Sequence, residues 1–266
     1  RSGRASARPK PPELLTDAAA LALAAAAGLV GGAMNALAGG GTFATLPALL
    51  AIGLPANIAN ATSNVALLPG AAASAWTFRD ELGPVGPVGW RALAGVTFAG
   101  GLLGSLLLVL TPTRTFDLLI PWLVLYAFLI LLLGQRAAQW LAARVRIGRG
   151  TLLAAQALLG IYGGYFGGGV GLMMTATYGL LAARDPRSLF APRTLMLALA
   201  NAAAALIFLA AGMVVWGACL AMAAGAILGG RLGAVWGKRL PAGPVRVWTL
   251  LVSGATTLVF FVRAYG

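Results

Sequence analysis

Residues 18–78 read AAALALAAAAGLVGGAMNALAGGGTFATLPALLAIGLPANIANATSNVALLPGAAASAWTF, and these 61 residues contain no Asp, Glu, Lys or Arg. Five further charge-free runs follow, at 92–113, 118–135, 150–183, 194–230 and 247–262. About 20 apolar residues are enough for a helix to cross the hydrocarbon layer of a bilayer. The sequence therefore predicts an all-α, polytopic membrane protein.

The composition supports this class and excludes several others. Of the 266 residues, 60% are hydrophobic and 9% are charged, whereas a soluble domain carries about 25% charged residues. The net charge of +13 comes from basic residues at the ends of apolar segments and in the loops between them, which is typical of membrane anchoring. We therefore expect no nucleic-acid partner. With a single cysteine, Cys219, and no histidine, we expect neither a disulfide framework, a metal site nor a cofactor.

The apolar segments define the domain organisation. Ten of them are visible, and we expect 8–10 to enter the membrane, at 17–38, 43–54, 57–78, 88–110, 116–134, 151–166, 170–183, 190–212, 214–237 and 245–264. The boundaries predict a flexible basic tail at 1–16, a first transmembrane repeat at 17–134, a basic inter-repeat loop at 135–150 and a second repeat at 151–266.

Glycine clusters recur in the two halves with nearly constant spacing. Gly39, Gly40 and Gly41 precede one short apolar segment, and Gly167, Gly168 and Gly169 precede another, 128 residues later. Such spacing indicates internal duplication. Short, glycine-interrupted segments at matching places in two halves are typical of secondary transporters, whose discontinuous helices form the substrate site. The alternative for these glycines is close packing between continuous helices.

The basic residues predict how the halves are oriented. Arginines and a lysine cluster at 135–150, 184–193 and 231–246. If these three loops lie on the cytoplasmic side, each half makes an odd number of crossings and the halves are inverted. Each repeat then contains a glycine-broken pair of short helices plus three spanning helices. The basic tail at 1–16 disagrees with this scheme, because it would lie outside.

The ionisable side chains argue against proton relays and catalysis. All six acidic residues lie in loops or at segment ends, namely Glu13, Asp17, Asp80, Glu81, Asp117 and Asp185. A carrier driven by an Asp or Glu relay usually holds a carboxylate inside the membrane. Paired carboxylates for acid–base chemistry are equally lacking. We therefore predict that the protein is not an enzyme.

Neutral polar residues are the candidates for binding a substrate. The densest cluster is Asn60-Ala61-Thr62-Ser63-Asn64, and hydroxyl and amide donors beside helix N-termini can surround a small oxyanion. The alternative is ordinary hydrogen bonding between membrane helices. Arg193 begins a charge-free segment, so it either attracts the anion or anchors the helix at the interface. The candidate substrate-binding residues are Asn60, Thr62, Ser63, Asn64, Tyr165, Arg193 and Asn201.

Several motifs resemble one known family. Gly39-Gly40-Gly41, Pro47 and Ala59-Asn60-Ala61-Thr62-Ser63 resemble the first-repeat signature of the sulfite exporter family TauE/SafE. The second-repeat motifs are similar to three stretches, Gly163–Gly171, Ala191-Pro192-Arg193 with Asn201, and Gly229–Gly233. The resemblance covers roughly residues 20–265. Arg193 departs from it, since the family more often carries a lysine there, and arginine replaces a point charge by a two-pronged donor.

The resemblance implies a permease for sulfite or a small organosulfonate in the cytoplasmic (inner) membrane of a bacterium. Alternating access of the two repeats would move the anion, and the expected partners are this sulfur oxyanion and the lipid bilayer. A homodimer is compatible with the sequence. The alternatives are a transporter of another small anion or neutral solute, and a membrane scaffold that transports nothing.

Overall fold

The computed structural model of the chain describes residues 18–142, 148–182, 189–237, 239–240 and 242–266. Within these ranges the chain forms ten α-helices and a short 3-10 turn at Arg79–Glu81. The helices are α1 (Ala18–Leu37), α2 (Thr42–Ala51), α3 (Ala56–Thr77), α4 (Trp90–Leu110), α5 (Thr113–Ala142), α6 (Arg149–Tyr165), α7 (Val170–Ala182), α8 (Phe190–Ala210), α9 (Trp216–Gly237) and α10 (Ala242–Tyr265). The basic tail predicted at 1–16 lies outside the described residues.

The helices coincide with the apolar segments except at the end of the first half. α5 continues to Ala142 and so includes the first eight residues of the loop predicted at 135–150. This part of the chain is rich in Ala, Leu, Gln and Arg, all of which favour helix. The loss of hydrophobicity at 135 therefore marks the end of the apolar stretch and not the end of the helix.

Length and composition make the protein a multi-pass membrane protein. Six of the described helices, α1, α4, α5, α8, α9 and α10, are long and apolar enough to cross a bilayer. α3 is also long, at 22 residues, but carries the Asn-Thr-Ser-Asn cluster and is more polar. α2, α6 and α7 are shorter, at 10, 17 and 13 residues. Large apolar side chains such as Leu110 and Leu258 remain exposed, as expected for surfaces that face lipid.

Helix pairing in one half reappears in the other. α1 packs extensively on α9, and α6, which occupies the same place in the second half, packs on α4. α3 packs on α9, and correspondingly α8 packs on α4. Small residues allow these close approaches, since a Cβ added to Gly32 would meet the backbone of Ala226 and one added to Gly104 would meet that of Ile161.

The contacts also give the direction of each helix. Gly28 faces Met222 and Gly32 faces Ala226, so α1 and α9 run parallel. Equivalent pairs of contacts make α3 parallel to α9, and both α6 and α8 parallel to α4.

The two groups run in opposite directions. Phe78, at the end of α3, stacks on Phe190 at the start of α8, with 5.8 Å between ring centroids. Thr62, near the start of α3, bonds Val215, which follows α8. α1, α3 and α9 therefore run against α6, α8 and α4, and each helix is antiparallel to the helix at the same place in the other half.

Candidate functional site

Both glycine triplets lie in breaks that end one helix and begin the next. At the end of α1 the Gly39 amide donates to Met34 O at 2.9 Å, and at the end of α6 the Gly167 amide donates to Tyr162 O at 3.2 Å. This bond across five residues is the Schellman ending, which places the capping residue in the left-handed region that favours glycine. Gly39 and Gly167 have φ of +81° and +76°. The same local ending thus recurs 128 residues apart.

The two breaks touch each other. The Gly171 amide at the start of α7 donates to Gly39 O at 3.2 Å. A side chain on either residue would collide with the backbone of the other. The ring of Phe43, at the start of α2, lies against Gly169 of the second break. The N-terminal ends of α2 and α7 therefore meet inside the helix bundle.

The α2 and α7 N-termini present amide groups without an acceptor. For the N–H groups of Gly40, Thr42, Gly168 and Val170, all on buried residues, no acceptor lies in the part of the chain that the structure describes. The first amides of a helix lack intrahelical partners and carry the positive end of the helix dipole. Two such ends side by side form a favourable environment for an anion.

Polar side chains hold the first break in place. Asn35 Oδ1 accepts a hydrogen bond from the Gly41 amide at 2.6 Å, which satisfies one of the orphan donors. The hydroxyls of Thr45 and Ser63 lie 2.6 Å apart and link α2 to α3. Both hydroxyls are completely buried. Ser63 is thus one of the predicted residues that lies beside the first break.

Two asparagines on α3 face the second break. Asn60 Nδ2 donates to Tyr165 O, the last residue of α6, at 3.1 Å. Asn64 follows one turn later, and its Nδ2 lies 3.4 Å from the point that a Cβ on Gly167 would occupy. The Oδ1 atoms of both residues are buried without a hydrogen-bond partner in the described residues. α3 therefore lies between the two breaks and contributes Ser63 to one and Asn60 and Asn64 to the other.

The remaining predicted residues have other surroundings. Thr62 Oγ1 accepts from the Val215 amide at 3.1 Å, away from both breaks. The Tyr165 hydroxyl donates to Thr111 Oγ1 at 3.3 Å, so only its backbone carbonyl faces Asn60. Asn201 is buried on α8, next to Ala200, which packs against Gly101 of α4.

Arg193 is buried against the end of α1. It is 3% exposed, and its Nη2 and Nη1 donate to Ala36 O at 2.6 Å and Leu37 O at 3.2 Å. Its guanidinium also lies 4.5 Å from the ring centroid of Phe190. A cation at a helix C-terminus is stabilised by the helix dipole. The guanidinium thus caps the helix that leads into the first break, a contact that the sequence did not predict.

Sequence reasoning also left out Tyr162 from the candidate site. Its hydroxyl lies 2.9 Å from Gly168 O in the second break and 3.1 Å from Leu123 O on α5. The signal was present in its position, five residues before Gly167 and therefore at the start of the Schellman ending. Tyr162 connects the second break to α5.

A chain of buried polar groups lies deeper in the second half. Tyr178 donates to Gln156 Oε1 at 2.8 Å, and Gln156 Nε2 donates to Thr97 Oγ1 at 2.6 Å. All three side chains are completely buried, and they link α7, α6 and α4. Because every member has a partner, this network stabilises the packing of these helices.

The chemistry available at the breaks is neutral. In the described ranges no three His, Cys, Asp or Glu residues lie close enough to hold a metal ion together. Arg193 is the sole charged side chain among the buried residues described. Two surface cavities, of about 230 and 420 Å³, lie elsewhere, one beside Arg114 and Arg263 and one lined by apolar residues of α1 and α9.

Comparison with known proteins assigns the family. The family model described as sulfite exporter TauE/SafE matches residues 24–260. The chain belongs to the sulfite exporter TauE/SafE family. This confirms the resemblance of the glycine and Asn-Ala-Thr-Ser motifs, which lie at the two breaks and on α3.

Relatives of this TauE/SafE protein are described as transporters. A probable membrane transporter protein from Haemophilus influenzae is 33% identical over 220 residues, covering 80% of this chain and 84% of the relative. The probable membrane transporter protein YfcA from Escherichia coli is 28% identical, with 77% and 76% covered. The probable membrane transporter protein ORF9 from Sinorhizobium is 26% identical, with 90% and 91% covered. No solved structure matches the chain.

Proposed function

We propose that this TauE/SafE protein carries sulfite or a small organosulfonate across the cytoplasmic membrane of a bacterium. The observation that carries this proposal is the meeting of two glycine breaks, where the N-termini of α2 and α7 present unpaired amides. The family description and the transporter names of the relatives support transport. Sulfur as the central atom of the substrate rests on the family description.

The geometry suits a small oxyanion. Backbone N–H groups at two helix N-termini donate hydrogen bonds and supply positive potential without a full charge. A neutral site releases an anion more easily than a site containing a buried guanidinium, because a charge-assisted bond is roughly twice as strong as a neutral one. We expect the oxygens of the anion to bind the amides of Thr42 and Gly168, with Ser63 near the first break.

Alternating access is the proposed mechanism, with the halves acting as inverted repeats. Each helix is antiparallel to its counterpart in the other half, as an inverted repeat requires. The direct bond between the breaks is one backbone hydrogen bond, from Gly171 to Gly39. A single bond of about 1 kcal/mol is easily broken when one half rocks against the other.

Flux into proteoliposomes tests the proposal. Protein reconstituted in liposomes should take up labelled sulfite at least ~10-fold faster than acetate, since the site is built for a trigonal or tetrahedral oxyanion. Equal rates for the two anions would assign a broader anion carrier, and no flux of any solute would favour a scaffold. Either outcome overturns the proposal.

Glycine variants test the location of the site. Gly168→Leu should abolish flux, because even a Cβ there would collide with the Phe166 ring. Gly95→Leu is the matched control, since nothing lies within 4 Å of a Cβ at this position on α4. Both variants should insert into the membrane equally well. Normal sulfite flux through the Gly168 variant would remove the second break from the site.

A further inference from the structure

We propose that the second break binds a monovalent cation, Na⁺, next to Gly167, and that this ion is moved together with the anion. This inference rests on the proposed function and names the ion that couples to it. The protein has no acidic side chain among its buried described residues. A coupled cation must therefore be bound by neutral oxygen atoms.

The first observation is an orphan acceptor whose identity is fixed by its neighbour. Asn60 is 1% exposed, and its Nδ2 donates to the carbonyl oxygen of Tyr165. Rotating this amide by 180° would place two acceptors against each other, so the remaining atom must be the oxygen. This Oδ1 is buried without a partner in the described residues. Burying an acceptor unsatisfied costs about 1–3 kcal/mol, so its burial calls for a bound partner.

Further oxygens converge on the same break. The Cβ position of Gly167 is 3.3 Å from Gly163 O and 3.7 Å from Thr42 Oγ1. The amide of Asn64 reaches the same point, and its Oδ1 is a second buried acceptor without a partner. Because residue 167 is glycine, no side chain occupies this position. α2, α3 and α6 thus surround one point with carbonyl, hydroxyl and amide groups.

The nature of these atoms selects the ligand. The two orphan side-chain atoms accept hydrogen bonds and would repel the oxygens of an anion. Carbonyl oxygens at the C-terminal end of α6 carry the negative end of the helix dipole and attract a cation. In transporters with broken helices, unwound carbonyls and helix C-termini bind Na⁺ while the N-termini bind the anion.

Charge balance favours a monovalent ion over a divalent one. Neutral ligands leave the full charge of the ion to be compensated, and an isolated buried charge is costly. A monoanionic substrate at the amides of α2 and α7 would neutralise one positive charge but not two. We therefore expect the two ions to bind cooperatively, each raising the affinity for the other.

The principal experiment measures sulfite uptake by proteoliposomes in NaCl and in choline chloride. Uptake should be at least ~10-fold faster with an inward Na⁺ gradient, and labelled ²²Na⁺ should enter together with sulfite. Asn60→Leu should lose the Na⁺ stimulation. Asn57→Leu is the control on the same helix, because its Oδ1 already accepts from Thr113 Oγ1 at 3.0 Å.

A second measurement does not depend on transport. Without sulfite, NaCl should raise the thermal transition of the detergent-solubilised protein relative to choline chloride, and Asn64→Ala should reduce that shift at least ~3-fold. This readout remains valid if the Asn60 variant does not fold.

The outcomes separate the two proposals. Sulfite flux that is independent of Na⁺, together with no stabilisation by NaCl, overturns the cation site, assigns the orphan atoms to water and leaves the proposed function standing. Stabilisation by Na⁺ without sulfite flux supports the ion site and refutes the proposed substrate.

Discussion

Replacing Arg193 by methionine tests whether this residue holds the end of α1 in place. The side chain of methionine fills much of the same apolar volume but donates no hydrogen bond. The carbonyl oxygens of Ala36 and Leu37 would then lose bonds of 2.6 and 3.2 Å in a buried place. Each unsatisfied buried acceptor costs about 1–3 kcal/mol, and removing the buried charge recovers part of this. We expect Arg193→Met to lower the free energy of unfolding by about 2–4 kcal/mol.

Thermal unfolding of the purified protein in detergent measures this effect. For a chain of this size, 1 kcal/mol shifts the midpoint by about 2–4 °C, so a loss of at least ~4 °C is expected. Arg193→Lys should recover about half of the loss, because an ammonium can reach one carbonyl but lacks the planar fork. Arg231→Met is the control, since Arg231 is exposed on the neighbouring helix α9.

The result also separates a structural role from substrate binding. If Arg193→Met unfolds at the same temperature as Arg231→Met, the capping argument is refuted. If stability is unchanged but the half-saturating sulfite concentration rises at least ~10-fold, Arg193 binds the anion by a contact worth about 1.4 kcal/mol or more. A loss of stability with unchanged half-saturation supports the capping role alone.

Three further substitutions have definite expected outcomes. On α4, Gly104→Ala should destabilise the protein by about 1–3 kcal/mol because its Cβ meets the backbone of α6, whereas Gly95→Ala should stabilise it by about 0.5–1 kcal/mol, and chemical or thermal unfolding that ranks them the other way contradicts the packing. Tyr162→Phe should reduce sulfite flux more than ~5-fold, because the second break loses its link to α5, while Tyr126→Phe, at an exposed position, should transport normally. Gln156→Leu should lower stability by about 1–3 kcal/mol, since it leaves two buried hydroxyls without their partner, and a change in sulfite-over-acetate selectivity would show that the network belongs to the site.

Much of the fold was accessible from local sequence. Long charge-free segments predict membrane helices because a bilayer cannot solvate charged or unpaired groups. The glycine triplets predict interruptions because only glycine readily takes the left-handed conformation that ends α1 and α6. Both signals depend on neighbouring residues, so they needed no knowledge of distant contacts. The one boundary that differed, at the end of α5, is where a helix outlasts its apolar stretch.

The candidate site was only partly predictable for a geometric reason. Successive residues on a helix point about 100° apart, so one polar cluster sends its side chains to different neighbours. Ser63 and Asn64 face the breaks, whereas Thr62 bonds a loop 153 residues away. No local pattern indicates which direction each side chain takes.

The sequence by itself determined that the chain is a membrane protein of ten helical segments with a glycine break in each half. The tertiary structure decided that the two breaks meet, that Asn60 bonds the end of α6 across 105 residues, and that Arg193 caps α1 across 157. Composition and glycine position act within a few residues, and they set the helices and their ends. The partners of buried polar groups are chosen by the packing of whole helices, because each group must find a hydrogen bond wherever the fold brings one within reach.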